Sequence, residues 1–255
     1  MTTDIEVDHY CALREQAKDH CTPSDVAAGP FGIVVNMGLD ACIRPELLLY
    51  RFGQKDLESV APEPSRIGSR PAMDGEHLVF QTHNPNTGFS NIMLYNVRTE
   101  ERYFIDPQEA AQYIPRISGK KIVWTDGRNE DPPGNYLSPQ NGDIYIYDID
   151  TKKSAPVETE SSKQHYPGID GDIVAWEDYR NEPVDKTPTG NGVNRDIYFK
   201  VLSTGKIYQL TSEMGYELFP RVSNGRIFYR ALDANKQLAI FQVDVEAWLA
   251  ANEGP

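Results

Sequence analysis

Tyr-Ile-Pro-Arg-Ile-Ser-Gly-Lys-Lys-Ile-Val-Trp-Thr-Asp-Gly-Arg-Asn (113–129) returns in the same chain as Tyr-Pro-Gly-Ile-Asp-Gly-Asp-Ile-Val-Ala-Trp-Glu-Asp-Tyr-Arg-Asn (166–181). Weaker copies are Arg-Pro-Ala-Met-Asp-Gly-Glu-His-Leu-Val-Phe (70–80) and Phe-Pro-Arg-Val-Ser-Asn-Gly-Arg-Ile-Phe-Tyr (219–229). The faintest, Val-Ala-Ala-Gly-Pro-Phe-Gly-Ile-Val-Val (26–35), aligns without a gap to 71–80. With the proline as marker, the copies start at Val26, Pro71, Pro115, Pro167 and Pro220, at steps of 45, 44, 52 and 53 residues. A period of about 40–50 residues with four strand signals per unit is that of a propeller blade.

Each unit reads as four strands in order. A first strand surrounds the proline, and a Ser-Gly, Asp-Gly or Asn-Gly turn follows at 118–119, 74–75, 170–171 and 224–225, a strong hairpin signal. The second strand is an apolar run such as Lys121-Ile-Val-Trp or Ile173-Val-Ala-Trp. After a loop comes an alternating third strand, Asp143-Ile-Tyr-Ile-Tyr-Asp-Ile and its counterpart Asp196-Ile-Tyr-Phe-Lys-Val-Leu. An outer strand closes the unit, clearest at Lys206-Ile-Tyr-Gln-Leu-Thr.

The last unit lacks an outer strand and ends in Glu246-Ala-Trp-Leu-Ala-Ala-Asn, which reads as helical within a short tail, 246–255. The N-terminus has a spare strand, Ile5-Glu-Val-Asp-His-Tyr. The expectation is an all-β, five-bladed β-propeller with four antiparallel strands per blade. Its blades fall at about 24–66, 67–111, 112–163, 164–216 and 217–247, with strand 4–10 completing the last blade and closing the ring. Closure would remove an exposed sheet edge; a sixth blade, lost or in another chain, is the alternative.

The whole chain reads as one domain. Its 255 residues, 39% hydrophobic and 25% charged, suffice for a large buried core. Eighteen prolines and nineteen glycines cluster between β-rich runs, and 14 tyrosines suit half-buried strands. A net charge of −13 without a basic stripe argues against nucleic acid and anionic membrane surfaces. No apolar run approaches the ~20 residues of a membrane span, and the first residues lack a secretory-signal pattern. Cys11 and Cys21 could close a short loop beside a Cys42 thiol, or all three could be reduced.

The units resemble the TolB-like β-propeller repeat, Tyr-Pro-x-Ile-x-Gly-x-x-Ile-Val-Trp-x-Asp-x-Arg-Asn followed by Asp-Ile-Tyr-x-Tyr-Asp-Ile. Units three and four carry it at Tyr113, Pro115, Ile122–Trp124, Asp126, Arg128, Asn129 and Asp143–Asp148, and at Tyr166, Pro167, Ile173, Trp176, Asp178, Arg180, Asn181 and Asp196–Tyr198. Units one, two and five keep the apolar skeleton and lose the Asp-x-Arg-Asn signature. The resemblance covers about residues 24–245. It implies the fold, and a microbial envelope or surface protein in which the propeller is an interaction platform; relatives in the wider superfamily are enzymes.

Function is expected where the repeat is broken. The second-to-third-strand loops of units three and four, about 125–142 and 177–195, are long and rich in Pro, Gly, Asn and Asp, as functional loops often are. Asp126, Arg128, Asp178 and Arg180 are polar candidates at their roots. Their recurrence favours a building role, pairing between blades or tying the hairpin to Asp143 and Asp196. At the register of Thr125 the other units carry Asn36, Gln81, Glu177 and Arg230. Glu177, Arg230, His83 and His165 are therefore the symmetry-breaking candidates for a polar ligand, with Tyr179 as an exposed aromatic. Solvated loop residues are the plainer reading of the histidines.

No metal motif occurs, and oxygen-rich loops give only a faint case for Ca²⁺; no cofactor is otherwise expected. Trp124 and Trp176 fall at the apolar register of Val35, Phe80 and Tyr229, which places them between blades. The sequence favours a monomeric, non-enzymatic propeller that recognises a protein or glycan through the face carrying the two loops. Such a protein would be exported or displayed at the cell surface, with a cytoplasmic setting as the other option. The competing reading is a lyase or hydrolase acting on a saccharide-like substrate at the channel mouth. It would use Glu177, Asp178, Arg230 and a histidine.

Overall fold

The computed structural model describes residues 22–38, 46–61, 68–130, 142–181, 194–213, 215 and 217–253. They form five antiparallel sheets, each built from consecutive strands. The first contains β1 (Thr22–Gly29), β2 (Gly32–Gly38), β3 (Glu46–Arg51) and β4 (Leu57–Ser59). The second contains β5 (Gly68–Asp74), β6 (His77–His83), β7 (Ser90–Asn96) and β8 (Arg102–Phe104). The third contains β9 (Gln112–Ser118), β10 (Lys121–Asp126), β11 (Asp143–Asp148) and β12 (Lys153–Glu158).

The fourth contains β13 (Gln164–Asp170), β14 (Ile173–Asp178), β15 (Asp196–Val201) and β16 (Ile207–Gln209). The fifth has three described strands, β17 (Leu218–Ser223), β18 (Arg226–Leu232) and β19 (Leu238–Asp244), and runs into helix α1 (Val245–Asn252). The expected N-terminal strand 4–10 and all three cysteines lie outside the described residues. The described residues therefore form five blades, four of them four-stranded.

Apolar seams hold consecutive blades together. Val34, Leu47 and Leu49 of the first meet Leu78, Phe80 and Met93 of the second. Val79, Ile92 and Leu94 meet Ile122 and Trp124 of the third. Val123 and Ile144 meet Trp176 and Tyr198 of the fourth. Trp124 and Trp176 are fully buried in these seams, and each such side chain contributes roughly 1.5–3 kcal/mol of burial or more. The fourth seam joins Ala175, Ile197 and Phe199 to Ile227 and Val245. Here α1, capped by the Asp244 carboxylate accepting from Ala247 N at 3.1 Å, sets Trp248 edge-on against Phe199 and Tyr208. Among the described residues no cluster joins the fifth sheet to the first. Leu238 and Ile240, on β19, the last described strand of its sheet, are 56% and 76% exposed.

The hairpin turns on one face also stitch blades together. Gly119, at φ +57°, supplies the left-handed residue that the Ser-Gly hairpin needs. Its amide donates to Asp74 of the preceding blade at 2.6 Å. In the next two steps Gly171 N donates to Ser118 Oγ at 3.0 Å, and Asn224 N to Asp170 Oδ2 at 2.7 Å. Asp74 and Asp170 are thus seam residues.

The prolines mark something the sequence does not advertise. In β5, β9, β13 and β17 the residue before proline is left-handed: Arg70 (φ 55°), Ile114 (53°), Tyr166 (51°) and Phe219 (55°). At each the pairing register slips, as between Tyr113↔Thr125 and Arg116↔Val123. Two inner-strand residues therefore oppose one, which is a β-bulge. A pre-proline residue normally prefers extended backbone, so each bulge costs on the order of 1–3 kcal/mol. Blade one, with Val26 instead of proline, pairs regularly from Asp25 to Gly29 and slips earlier, between Pro23 and Asp25.

Candidate functional site

The inner strands, the second-strand ends and the roots of the long loops meet on the face opposite the hairpin turns. In blade three, Asp126 ends β10 with no exposure. Its carboxylate accepts from Trp124 Nε1 (2.7 Å), Gln112 Nε2 (3.0 Å), Arg128 N (2.9 Å), Arg128 Nε (2.9 Å) and Arg128 Nη2 (2.7 Å). Arg128 also donates to Asp106, in the connection from blade two, at 2.6 Å, and lies 4.0 Å above the Tyr145 ring. Asn129 donates to Asp143 at 2.6 Å and to Tyr145 Oη at 3.3 Å.

Blade four repeats this arrangement. Asp178 accepts from Trp176 Nε1 (2.9 Å) and from Arg180 N, Nε and Nη2 (2.9, 2.9 and 2.7 Å). Arg180 reaches back to Glu158 of blade three at 3.0 Å and stacks 4.3 Å from the Tyr198 ring. Asn181 donates to Asp196 (2.7 Å) and Tyr198 Oη (3.2 Å).

Burial lowers the Arg128 pKa, but bonds to Asp126 and Asp106 more than reverse it and the net shift is upward. For Arg180 the Asp178 bond dominates, with the same net direction. Burial pushes Asp143 up to about 6 against the Asn129 bond, and raises Asp196 too. Arginine and carboxylate therefore pair both within the blade and across the seam, and it is asparagine that ties the hairpin.

One register earlier the two blades part. Thr125 in blade three is buried, and so is Glu177 in blade four. Glu177 Oε1 accepts from the bulged amide of Phe219 in blade five at 2.7 Å. Gln81 does the same for the bulged Ile114 amide at 3.0 Å. A side chain at this register thus satisfies the next blade's bulge. Unlike an amide, the Glu177 carboxylate brings a charge: Oε2 has no hydrogen-bond donor and faces Arg195 Nη1 at 3.8 Å. Burial pushes its pKa up to about 7 despite the Phe219 bond and the positive charge of Arg195.

His165, opposite Glu177 in the ladder, is buried. Burial, aided by Lys163, Arg195 and Arg70, holds its pKa well below the usual histidine value, so it is neutral at pH 7. Its ring meets Tyr166 edge-on at 4.3 Å, Tyr166 meets Phe219 at 4.7 Å, and Arg230 lies 5.4 Å from the Phe219 ring. Tyr179, expected as an exposed aromatic, is instead half-buried, with Lys163 at 5.4 Å and Arg195 at 4.9 Å from its ring. Glu177, His165, Tyr179 and Arg230 are thus linked through one patch spanning blades four and five. His83 stands apart, exposed at the end of β6 opposite Ser90.

Tyr166, Phe219, Lys163 and Arg195 belong to this patch and were not singled out by the sequence. The aromatic letters before Pro167 and Pro220 were the available signal for two of them. Among the described residues no three His, Cys, Asp or Glu side chains gather as metal ligands. Loop residues 131–141 and 182–193, which carry most of the oxygen-rich stretches that gave the case for Ca²⁺, lie outside the described residues. A cleft of about 320 Å³ lies on the hairpin-turn side, between Asp172, Asn224 and α1. No described helix is long and apolar enough to cross a membrane.

No protein-family profile and no curated protein sequence matches the chain. Solved structures do. TolB from Acinetobacter baumannii superposes with a TM-score of 0.54 at 15% identity, over 86% of this chain and 54% of that one. Oligogalacturonate lyase in complex with manganese gives 0.55 at 15% identity, over 85% and 60%. A structure of the nidogen/laminin complex gives 0.54 at 11% identity, over 87% and 76%. This chain therefore spans only about half of the A. baumannii TolB chain. At these identities the likeness shows the fold: a TolB-like β-propeller.

Proposed function

We propose that this chain is a non-catalytic recognition propeller that binds a partner through the face bearing loops 125–142 and 177–195. The observation that carries this reading is the paired lock at the loop roots. Asp126 and Asp178 have both carboxylate oxygens engaged in holding Arg128 and Arg180, and those arginines bolt each loop to the preceding blade. The roots of both loops are thereby fixed to the blades, which suits recognition because the roots need no ordering at the moment of binding. The partner is a protein in the first instance, as the nidogen/laminin neighbour suggests; a glycan is the alternative. The proposal includes an exported or surface setting, and a ring completed by strand 4–10 beside β19.

The test replaces both loops by short Gly-Ser turns and compares intact and shortened chains in pulldown and glycan-array binding. Loss of a partner captured by the intact chain supports the reading, and unchanged capture overturns it.

A second reading has one observation in its favour. Glu177, titrating near pH 7 beside Arg195 and His165, has the acidity of a general acid–base group. A lyase or hydrolase working there on a saccharide-like substrate would lose turnover in Glu177→Gln, which keeps the Phe219 bond. Activity surviving that substitution removes this reading.

A further inference from the structure

The five-fold alignment places Asp25, Arg70, Ile114, Tyr166 and Phe219 before the proline position, and Ala27, Ala72, Arg116, Gly168 and Arg221 after it. The second ring is uneven, with two arginines against three residues of little or no side chain. Arg116 is on β9 and Arg221 on β17, with β13 between them. Yet Arg221 lowers the Arg116 pKa, and Asp25 of blade one, Arg70 of blade two and Tyr166 of blade four act on both arginines, with Glu177 acting on Arg221 as well. Inner strands of five different blades share a space of this kind only along the axis of the propeller. Gly168 helps bring them together: a Cβ there would lie 3.0 Å from Pro220 O and 3.3 Å from Arg221 Cα. Its absence lets β17 close in.

The guanidinium groups are held but not neutralised. Arg116 Nη1 donates to Pro115 O at 2.8 Å, and Arg221 Nη1 to Pro220 O at 2.9 Å. These bonds fix the forks against their own bulges. Neither arginine has a carboxylate within ion-pair distance among the described residues. Asp25 is nearest to Arg70, at a loose 3.7 Å. Burial depresses Arg116 to about 10 and lowers Arg221 as well, although Arg221 remains open to solvent. Side chains surrounded by protein yet reached by water describe the wall of a wet tunnel. In a chain of net charge −13, three arginines gather there around Asp25, while Glu177, which also raises the Arg221 pKa, is already held by the Phe219 amide.

We propose that Arg116 and Arg221, with Arg70 and the Tyr166 hydroxyl beside them, form an oxyanion-binding site on the propeller axis for a small phosphate- or carboxylate-bearing ligand. Planar guanidinium forks suit both groups, since each can donate two parallel bonds to one oxyanion. Like charges left together in a folded protein cost stability, and a bound anion removes that cost. This site lies at the centre of the ring and does not depend on the loop-face reading.

The test is calorimetric titration of the intact chain with inorganic phosphate and with citrate at constant ionic strength, with chloride as control. Saturable binding of one or both is expected, and the tighter of the two names the ligand class. Arg116→Gln and Arg221→Gln should each weaken it at least about tenfold, the loss of one charge-assisted fork. Arg98→Gln, on an exposed pair with Glu76, should leave it unchanged. Without anion, the two glutamine variants should melt at or above the parent temperature, and phosphate should no longer raise it. Should a glutamine variant fail to fold, Arg116→Lys and Arg221→Lys keep the charge, lose the fork and should still weaken binding. No saturable binding of either anion, or binding untouched by the arginine substitutions, overturns the proposal.

Discussion

Blades three and four carry nearly the same lock and differ at the residue just before it. Asp126 and Asp178 hold their arginines at matching distances, and both tryptophans donate to the same carboxylate oxygen. Yet Thr125 ends in a buried hydroxyl without a hydrogen-bond partner, whereas Glu177 reaches into blade five. Letters kept by both blades are consumed in building them. Where they diverge, a buried ionisable group becomes affordable.

The comparison is broken most severely at the lock. Asp178→Asn and Asp126→Asn each remove one of two counter-charges from a half-buried guanidinium and should cost about 3 kcal/mol, read as a lower urea midpoint. If the locks are equivalent, the two losses agree; a much smaller loss in one would end the equivalence.

The next effect separates the blades. The Glu177 carboxyl is protonated in both folded and unfolded chains below about pH 4.5, and ionised in both well above pH 7. Between those values only the unfolded chain has released the proton, so stability falls as pH rises. The displacement of the pKa corresponds to about 3 kcal/mol in all. Glu177→Gln should therefore be more stable than the parent at pH 8, and the excess should vanish toward pH 4.5 in melts across that range. The residual fall in the variant comes from Glu217 and Asp143, also raised by burial.

Smaller differences sharpen the picture. Arg128→Lys should cost more than Arg180→Lys, each about 1–2 kcal/mol. The bond to Asp106 is shorter than that to Glu158 (2.6 against 3.0 Å), and Arg128 is the less exposed (19% against 26%). Smallest is Asn129→Ala, at about 1 kcal/mol. It should raise the Asp143 pKa further, because the lost bond is one that lowers it; NMR titration of the carboxyl would show this.

The blades were legible because their signals are local. Alternation in Asp143–Asp148, the Ser-Gly turn at 118–119 and the recurring tryptophan each dictate an element without help from distant residues. The seam positions of Trp124 and Trp176 followed from register alone. The bulges were not legible, because a pre-proline residue on its own favours extended backbone. Ile114 and Phe219 are held otherwise by side chains 33 and 42 residues away. The same distance hid Arg195 and Lys163 from the Glu177 group. Arg116 and Arg221 were visible in the alignment as departures from Ala27, Ala72 and Gly168. That Arg221 and Arg70 act on Arg116 needed the blades packed together.

The arginine bolts have a further consequence for how the molecule opens. Arg128 ties blade three to Asp106 of blade two, and Arg180 ties blade four to Glu158 of blade three. Blades two to four are thus coupled at the second-strand ends as well as through their apolar seams. Amide hydrogens in that central trio should exchange together, as one cooperative foldon close to the global unfolding free energy. Those of blade five, which among the described residues has no such arginine bolt to blade four, should exchange earlier than the central trio.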